Sequence, residues 1–222
     1  MADKVEFSKR VGQKIEAFFK DFPVKKFNRG EELVAAGAEP GGVMYLKNGY
    51  VRQVSISQDG MELTLHLFRP GAFFPLLWAV ANLPNRYQFE AVGSCEVAVA
   101  PKERVVDWIK GDPQLLFELN KKLLSGLAGL LIRIEGLALY NSHQRVVATL
   151  MLLVKHMGKK RSPGVAIRQK LTHKELAAWS GLTRETTSLE MEKLRQLGLV
   201  EYSRREIYIP NLADLKKCLP GG

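Results

Sequence analysis

THKELAAWSGLTRETTSLEMEKLRQLG, residues 172–198, contains two helix starts separated by one enforced turn. Thr172 is a good N-cap and Glu175 follows three positions on, the spacing of a capping box. Leu176, Ala177 and Trp179 give the first short helix its apolar side. Gly181 is the residue for a turn that needs positive φ. Thr183 caps a second helix whose expected apolar face is Thr187, Met191, Leu194 and Leu197, with Gly198 closing it. Two short helices joined by a glycine turn form the helix–turn–helix pattern of DNA-binding proteins.

Working outward from that segment, the second helix presents Arg184, Glu185, Ser188 and Glu192 on its other face. Its first turn is the part that reaches base edges when such a helix lies in a major groove. Arginine pairs with guanine in bidentate fashion, and glutamate accepts from the cytosine amino group. Arg184, Glu185 and Ser188 are therefore the candidate base readers. Thr172, His173, Thr183, Thr186 and Lys193 are candidate phosphate contacts, which position without specifying. The following stretch, LVEYSRREIYIP, has two strand-like runs around a polar turn at Ser203-Arg204-Arg205. A β-hairpin wing there offers Arg204 and Arg205 to phosphates.

Charge agrees with a polyanionic partner. The 222 residues carry a net +10. After Tyr140 the chain has fifteen Lys and Arg against seven Asp and Glu, so most of the excess sits in the smaller part. A 46% hydrophobic, 25% charged composition is that of a globular protein with a real core. The longest uncharged apolar runs, Ala72–Ala81 and Leu123–Ile132, fall well short of the roughly 20 residues a bilayer requires. The N-terminus has no apolar signal region. Cys95 and Cys218 build no disulfide framework, and no Cys/His cluster exists for zinc or iron–sulfur. The expectation is a reduced, cytoplasmic protein with no membrane association, no metal and no cofactor. No P-loop, GxSxG or HExxH motif occurs, and the carboxylate pairs Glu31/Glu32 and Glu190/Glu192 read as surface charges, so an enzyme is not expected.

Upstream, Val11, Ile15, Phe18 and Phe19 mark a short amphipathic helix. From Val24 to Val99, short Val/Leu/Tyr/Phe runs alternate with turn residues about every ten positions, the texture of an antiparallel sandwich or barrel. Asp59-Gly60 between VRQVSIS and MELTLHLF is a strong hairpin signal. After Asp112-Pro113 a long segment runs to about Asn141, with Leu116, Leu119, Leu123, Leu127, Leu130, Ile134 and Leu137 at three- to four-residue spacing. This is a seam for a partner helix, read as parallel self-association into a homodimer in preference to packing against its own chain. A second helix spans Gln144–Met157 and ends in the turn-rich stretch GKKRSPG.

This order of elements resembles the Crp/Fnr superfamily of bacterial transcription regulators, over nearly the whole chain. Thr183-Arg184-Glu185-Thr186 is similar to the opening of that family's recognition helix. Met44-Tyr45-Leu46-Lys47-Asn48-Gly49-Tyr50-Val51-Arg52 is similar to a strand–turn–strand of its cyclic-nucleotide-binding fold. The resemblance implies an α+β protein: an N-terminal β-roll (a cyclic-nucleotide-binding-like jelly roll) over 1–111, a long dimerisation helix over 112–141 and a C-terminal winged helix–turn–helix over 142–222. It implies double-stranded DNA as partner, with RNA polymerase a further candidate.

Two departures matter. The cyclic-AMP receptor type carries an arginine four residues after the recognition glutamate, where this chain has Leu189, so one guanine contact is missing. Its phosphate cassette has a glutamate for the ribose and an arginine for the cyclic phosphate. Here Arg86 holds the arginine position, Leu76 stands for the glutamate and Tyr87 for the small hydroxyl residue. Leu130 and Leu131 occupy the adenine-facing positions. Cyclic AMP is therefore disfavoured, although Arg86 keeps a cyclic-nucleotide response as the alternative. Phe73, Phe74, Leu76, Trp78, Arg86, Tyr87, Leu130 and Leu131 are the candidate effector pocket, for an unidentified hydrophobic or weakly anionic small molecule; the competing reading is that they fill the core. The superfamily's haem-sensing type would have only His66 and Cys95 for ligands, with no supporting motif. A sensor module signalling to protein partners is the remaining alternative.

Overall fold

The computed structural model describes residues 6–167, 169–203 and 206–221. The chain divides into two compact units, Met1–Ile56 with Leu65–Ile132, and Ser57–Thr64 with Arg133–Gly222.

In the first unit, α1 (Lys9–Phe19) is capped by Ser8 and buries Val11, Ile15 and Phe19, as the three- and four-residue spacing predicts. Among the described residues eight strands follow: β1 (Val24–Phe27), β2 (Glu32–Val34), β3 (Val43–Asn48), β4 (Val51–Ile56), β5 (Glu62–Phe68), β6 (Phe73–Phe74), β7 (Gln88–Ala91) and β8 (Cys95–Ala100). They form two four-stranded sheets, ordered β1-β8-β3-β6 and β2-β7-β4-β5. The β4–β5 hairpin turns through Gly60 at φ +77°, which its Asp-Gly pair foretells. Short helix α2 (Leu76–Ala79) lies between β6 and β7, and α3 (Lys102–Gly111) follows β8.

Two apolar cores result. One joins Val11, Ile15 and Phe19 of α1 to Tyr45, Phe73, Val105 and Ile109, with Phe18 stacked on Trp108 at 4.1 Å between ring centres. The other gathers Met44, Leu46, Phe74, Phe89 and Cys95, with Phe68, Phe74 and Phe89 in ring contact. Arg52 and Glu90 face each other across β4 and β7, joined by two hydrogen bonds of 3.1 and 2.9 Å with the arginine almost wholly buried. A paired, doubly bonded fork is the form in which a buried guanidinium is tolerated.

Gly49 links β3 to β4 at φ +84°; a Cβ there would fall on the Ser94 carbonyl oxygen and lie 2.6 Å from Cys95 Cβ. Both conformation and space exclude a side chain. Gly49→Ala is expected to lower unfolding free energy by about 2 kcal/mol or more, read by urea denaturation.

Helix α4 runs Pro113–Leu139, 27 residues or roughly 40 Å. Its start is fixed by Asp112, whose carboxylate accepts from the amides of Gln114 and Leu115 and pairs with Lys14. Leu115 and Leu119 are buried in the first unit's own core, which removes Leu119 from the exposed seam. Leu116, Leu123, Leu127, Leu130 and Ile134 are between 43% and 55% exposed, and Leu137 is half-buried. The division between the units falls within α4, at Ile132/Arg133, rather than at the end of the helix.

The second unit contains α5 (Ser142–Met157), α6 (His173–Ser180), α7 (Arg184–Gln196) and α8 (Leu212–Lys217). Its sheet is ordered β11-β12-β10-β9, with β9 Gly158–Arg161, β10 Gly164–Ile167, β11 Glu201–Ser203 and β12 Glu206–Ile209. The stretch expected to be only a turn-rich break is thus a second hairpin. Val165, Ala166 and Ile167 pair with both neighbouring strands, and this supports the charged edge strand Gly158–Arg161. The expected wing exists as β11 and β12, paired antiparallel.

Candidate nucleic-acid interface

Each helix of the helix–turn–helix is started by its own sequence. Thr172 Oγ1 accepts from the Glu175 amide at 3.2 Å while Glu175 accepts from the Thr172 amide at 2.6 Å, the reciprocal capping box. Gly181 takes the left-handed conformation at φ +63°, ψ +38°, ending α6 and releasing the chain into the turn. Thr183 Oγ1 then accepts from the Thr186 amide at 3.1 Å and starts α7. A Cβ at Gly181 would lie 3.0 Å from Leu137, so the turn packs closely on the end of α4. Arg133, on the same end, donates to the Trp179 carbonyl at 3.0 Å and lies over the Trp179 ring; burial brings its pKa down to about 10.

Four α7 residues face inward: Thr187, Glu190, Met191 and Leu194. Leu197, expected to join them, is 66% exposed, because α7 ends at Gln196 and the chain turns away through Gly198 at φ +68°. Glu190, expected to be solvated, takes an inward place. Its carboxylate lies 3.0 Å from His143 Nδ1 on α5 and accepts from Lys193 Nζ at 2.9 Å. Burial raises the Glu190 pKa, but the hydrogen bonds from Lys193 and His143 outweigh it and hold the carboxyl below its ordinary value. A lowered carboxyl stabilises the fold above its ordinary pKa, near 4.5, and that contribution is lost as pH falls through the lowered value. Glu190→Gln is expected to be about 1–2 kcal/mol less stable at pH 7 and to lose less on acidification below about pH 4.5, measured by urea melts across the range.

On the outward side, Arg184 and Glu185 are exposed in the first turn of α7, with Thr172, Thr183 and Lys193 exposed and Thr186 half-buried around them. Ser188 is placed differently. Its Oγ lies 2.7 Å from His173 Nδ1, and His173 Nε2 lies 2.8 Å from the Tyr202 hydroxyl on β11. The three side chains tie α6, α7 and the wing together, and burial above all holds the Tyr202 pKa above its ordinary value. Sequence reading missed Tyr202; an aromatic residue beside the basic wing turn was its only signal. Arg204 and Arg205 lie outside the described residues.

The candidate effector residues divide between the two cores and the surface. Phe73 and Phe74 are successive on β6 and enter different cores, since strand neighbours point to opposite faces. Leu76 and Trp78 pack on the first core and Tyr87 on the second. Arg86 is exposed; its neighbour Asn85 is buried, fixed by hydrogen bonds to the carbonyls of Ala35 and Ala38. Leu130 and Leu131 are 43% and 54% exposed on α4. The His66 ring packs edge-on to Phe68, while burial pushes the Cys95 thiol up to about 11, which disfavours a thiolate ligand. Among the described residues no group of three or more His, Cys, Asp or Glu is placed to hold a metal ion, and no helix is long and apolar enough to cross a membrane.

Known proteins share both parts. Residues 144–218 match the family model for a Crp-like helix-turn-helix domain, and residues 24–112 that for a cyclic nucleotide-binding domain. The transcriptional regulator SdrP of Thermus thermophilus is 32% identical over 169 residues, covering 76% of this chain and 79% of SdrP. The chain belongs to the Crp/Fnr family of transcriptional regulators. The global nitrogen regulator of a Synechocystis strain is 27% identical over 196 residues, 87% of each chain. The crystal structure of a Crp/Fnr-family transcriptional regulator from Thermus thermophilus superposes with a TM-score of 0.74 at 28% identity, covering 88% of this chain and 97% of that one. The family resemblance read from Thr183–Thr186 and Met44–Arg52 is thereby borne out, as is the order of β-roll, long helix and helix–turn–helix. These relatives are all named as regulators, two of them as transcriptional regulators.

Proposed function

We propose that this Crp/Fnr-family member is a homodimer that reads a pseudo-palindromic operator in the major groove, in the cytoplasm, with RNA polymerase as a second partner. The observation that carries this reading is the first turn of α7. A cation at a helix N-terminus opposes the macrodipole by about 0.3–1 kcal/mol. Arg184 nevertheless stands there, exposed and without an ion pair among the described residues, beside exposed Glu185. A ligand that favours Arg184 there would offset that cost, and a base edge flanked by phosphates is such a ligand. Two recognition helices related by a dimer axis would meet successive major grooves about 34 Å apart. The exposed leucine seam of α4 is the surface on which that dimer forms.

Control by cyclic AMP is not part of this reading. Leu76 offers no carboxylate to a ribose, and the α4 residues Leu130 and Leu131 offer no polar partner to adenine. An unpaired buried hydroxyl weighs about 1–3 kcal/mol against binding. Selection of bound duplexes from a random pool tests the reading: enrichment of an inverted repeat with half-sites about one turn apart supports it, and no enrichment sinks it. Calorimetric titration with cyclic AMP and cyclic GMP checks the effector; micromolar binding of either would favour the cyclic-nucleotide-responsive alternative.

A further inference from the structure

Leu189 is 66% exposed in the middle of α7. At 3.6 residues per turn it lies one turn beyond Glu185 and roughly 40° further round, on the side away from Thr187, Met191 and Leu194. The residues around it are polar and accounted for. Ser188 is bonded to His173, and Glu192 closes on Arg195 through two hydrogen bonds of 2.9 and 2.8 Å and accepts a third from Gln196. Leu189 is therefore an apolar side chain on the face that also carries Glu185, and it adds nothing to the core beneath.

Resting on the DNA-reading role proposed above for α7, a ligand can be named for it. Base edges in the major groove present donors, acceptors and one apolar group, the 5-methyl of thymine. An aliphatic side chain gains nothing against a guanine or cytosine edge and would strip water from polar atoms there. Against a thymine methyl it buries carbon on carbon. We propose that Leu189 reads the 5-methyl group of a thymine in each half-site, one helical turn along α7 from the base contact of Glu185.

The test uses the operator recovered by random-pool selection with the full chain. Each thymine is replaced in turn by deoxyuridine, which removes the methyl group and leaves the pairing intact. At one symmetric position the replacement is expected to weaken wild-type binding about fourfold per half-site, the equivalent of one buried methyl at roughly 0.8 kcal/mol, and about fifteenfold when both half-sites are changed. The Leu189→Ala variant should bind methylated and demethylated duplexes alike. Because Leu189 is exposed, its thermal melt should match wild type. Selection repeated with Leu189→Arg should return guanine in place of that thymine. The inference is overturned if no thymine is methyl-sensitive, if Leu189→Ala retains the sensitivity, or if Leu189→Arg again selects thymine. Failure of the pool to enrich any sequence would instead strike the operator-reading proposal itself, and this inference would fall with it.

Discussion

Replacing Arg184 with alanine is expected to weaken specific binding and relax one operator position while leaving the protein folded. A bidentate arginine–guanine contact discriminates by about 1–3 kcal/mol, and a two-fold particle makes it twice. The loss in specific affinity is then roughly thirtyfold at the low end and above ten-thousandfold at the high end. Affinity for unrelated duplex should change far less, because only one charge per subunit is removed from a strongly basic surface. Stability should hold or rise by a few tenths of a kcal/mol, since the side chain is exposed and opposes the helix dipole. Mobility shifts on operator and scrambled duplex, each at two salt concentrations, give the comparison. Arg205→Ala provides the contrast: evenly weaker binding on all sequences and a flatter salt slope. Equal behaviour of the two variants would refute the division between reading and positioning.

The second large effect is expected from Leu123→Glu with Leu127→Glu. Both leucines are more than half exposed, at 55% and 52%. They contribute little to the fold of one chain, so the double variant should fold as a monomer with native circular dichroism. A row of exposed leucines spanning roughly 20 Å and more is instead the kind of surface that pairs with a copy of itself. Four carboxylates facing one another across two helices, desolvated and of like charge, would prevent that pairing. Analytical ultracentrifugation should show a dimer for wild type and a monomer for the variant. Operator affinity should fall by at least about a hundredfold, because each half-site must then be bound without help from the other. A variant that remained dimeric, or that bound the operator as a monomer with unchanged affinity, would remove the seam from the account.

The sequence carried the helix–turn–helix most clearly because its signals are local. Thr172 and Glu175 are three residues apart, Gly181 needs only its own backbone to be identified, and Thr183 caps the helix it precedes. The β4–β5 hairpin was legible for the same reason, through Asp59-Gly60. What periodicity could not supply was partnership across the chain. Glu190 reads as a surface charge until His143, 47 residues earlier, is seen beside it. Ser188 reads as a base reader from its position alone, and helix spacing says nothing of the His173 ring that joins its hydroxyl to Tyr202. Leu119 and Leu116 share one spacing rule, yet the first core takes up Leu119 and leaves Leu116 43% exposed. Lys159, Lys160 and Arg161 resemble a solvated loop because edge-strand charge hides the pairing that Val165 and Ile167 impose from the next strand.

The inward side of α7 needs only Thr187, Glu190, Met191 and Leu194, while Arg184, Glu185 and Leu189 support nothing beneath them. Packing and the proposed base reading thus rest on separate positions of one thirteen-residue helix. If α7 reads DNA as proposed, exchanging its exposed side chains would change the promoters it selects while leaving the four inward residues in place. An engineer can retarget it by the same route.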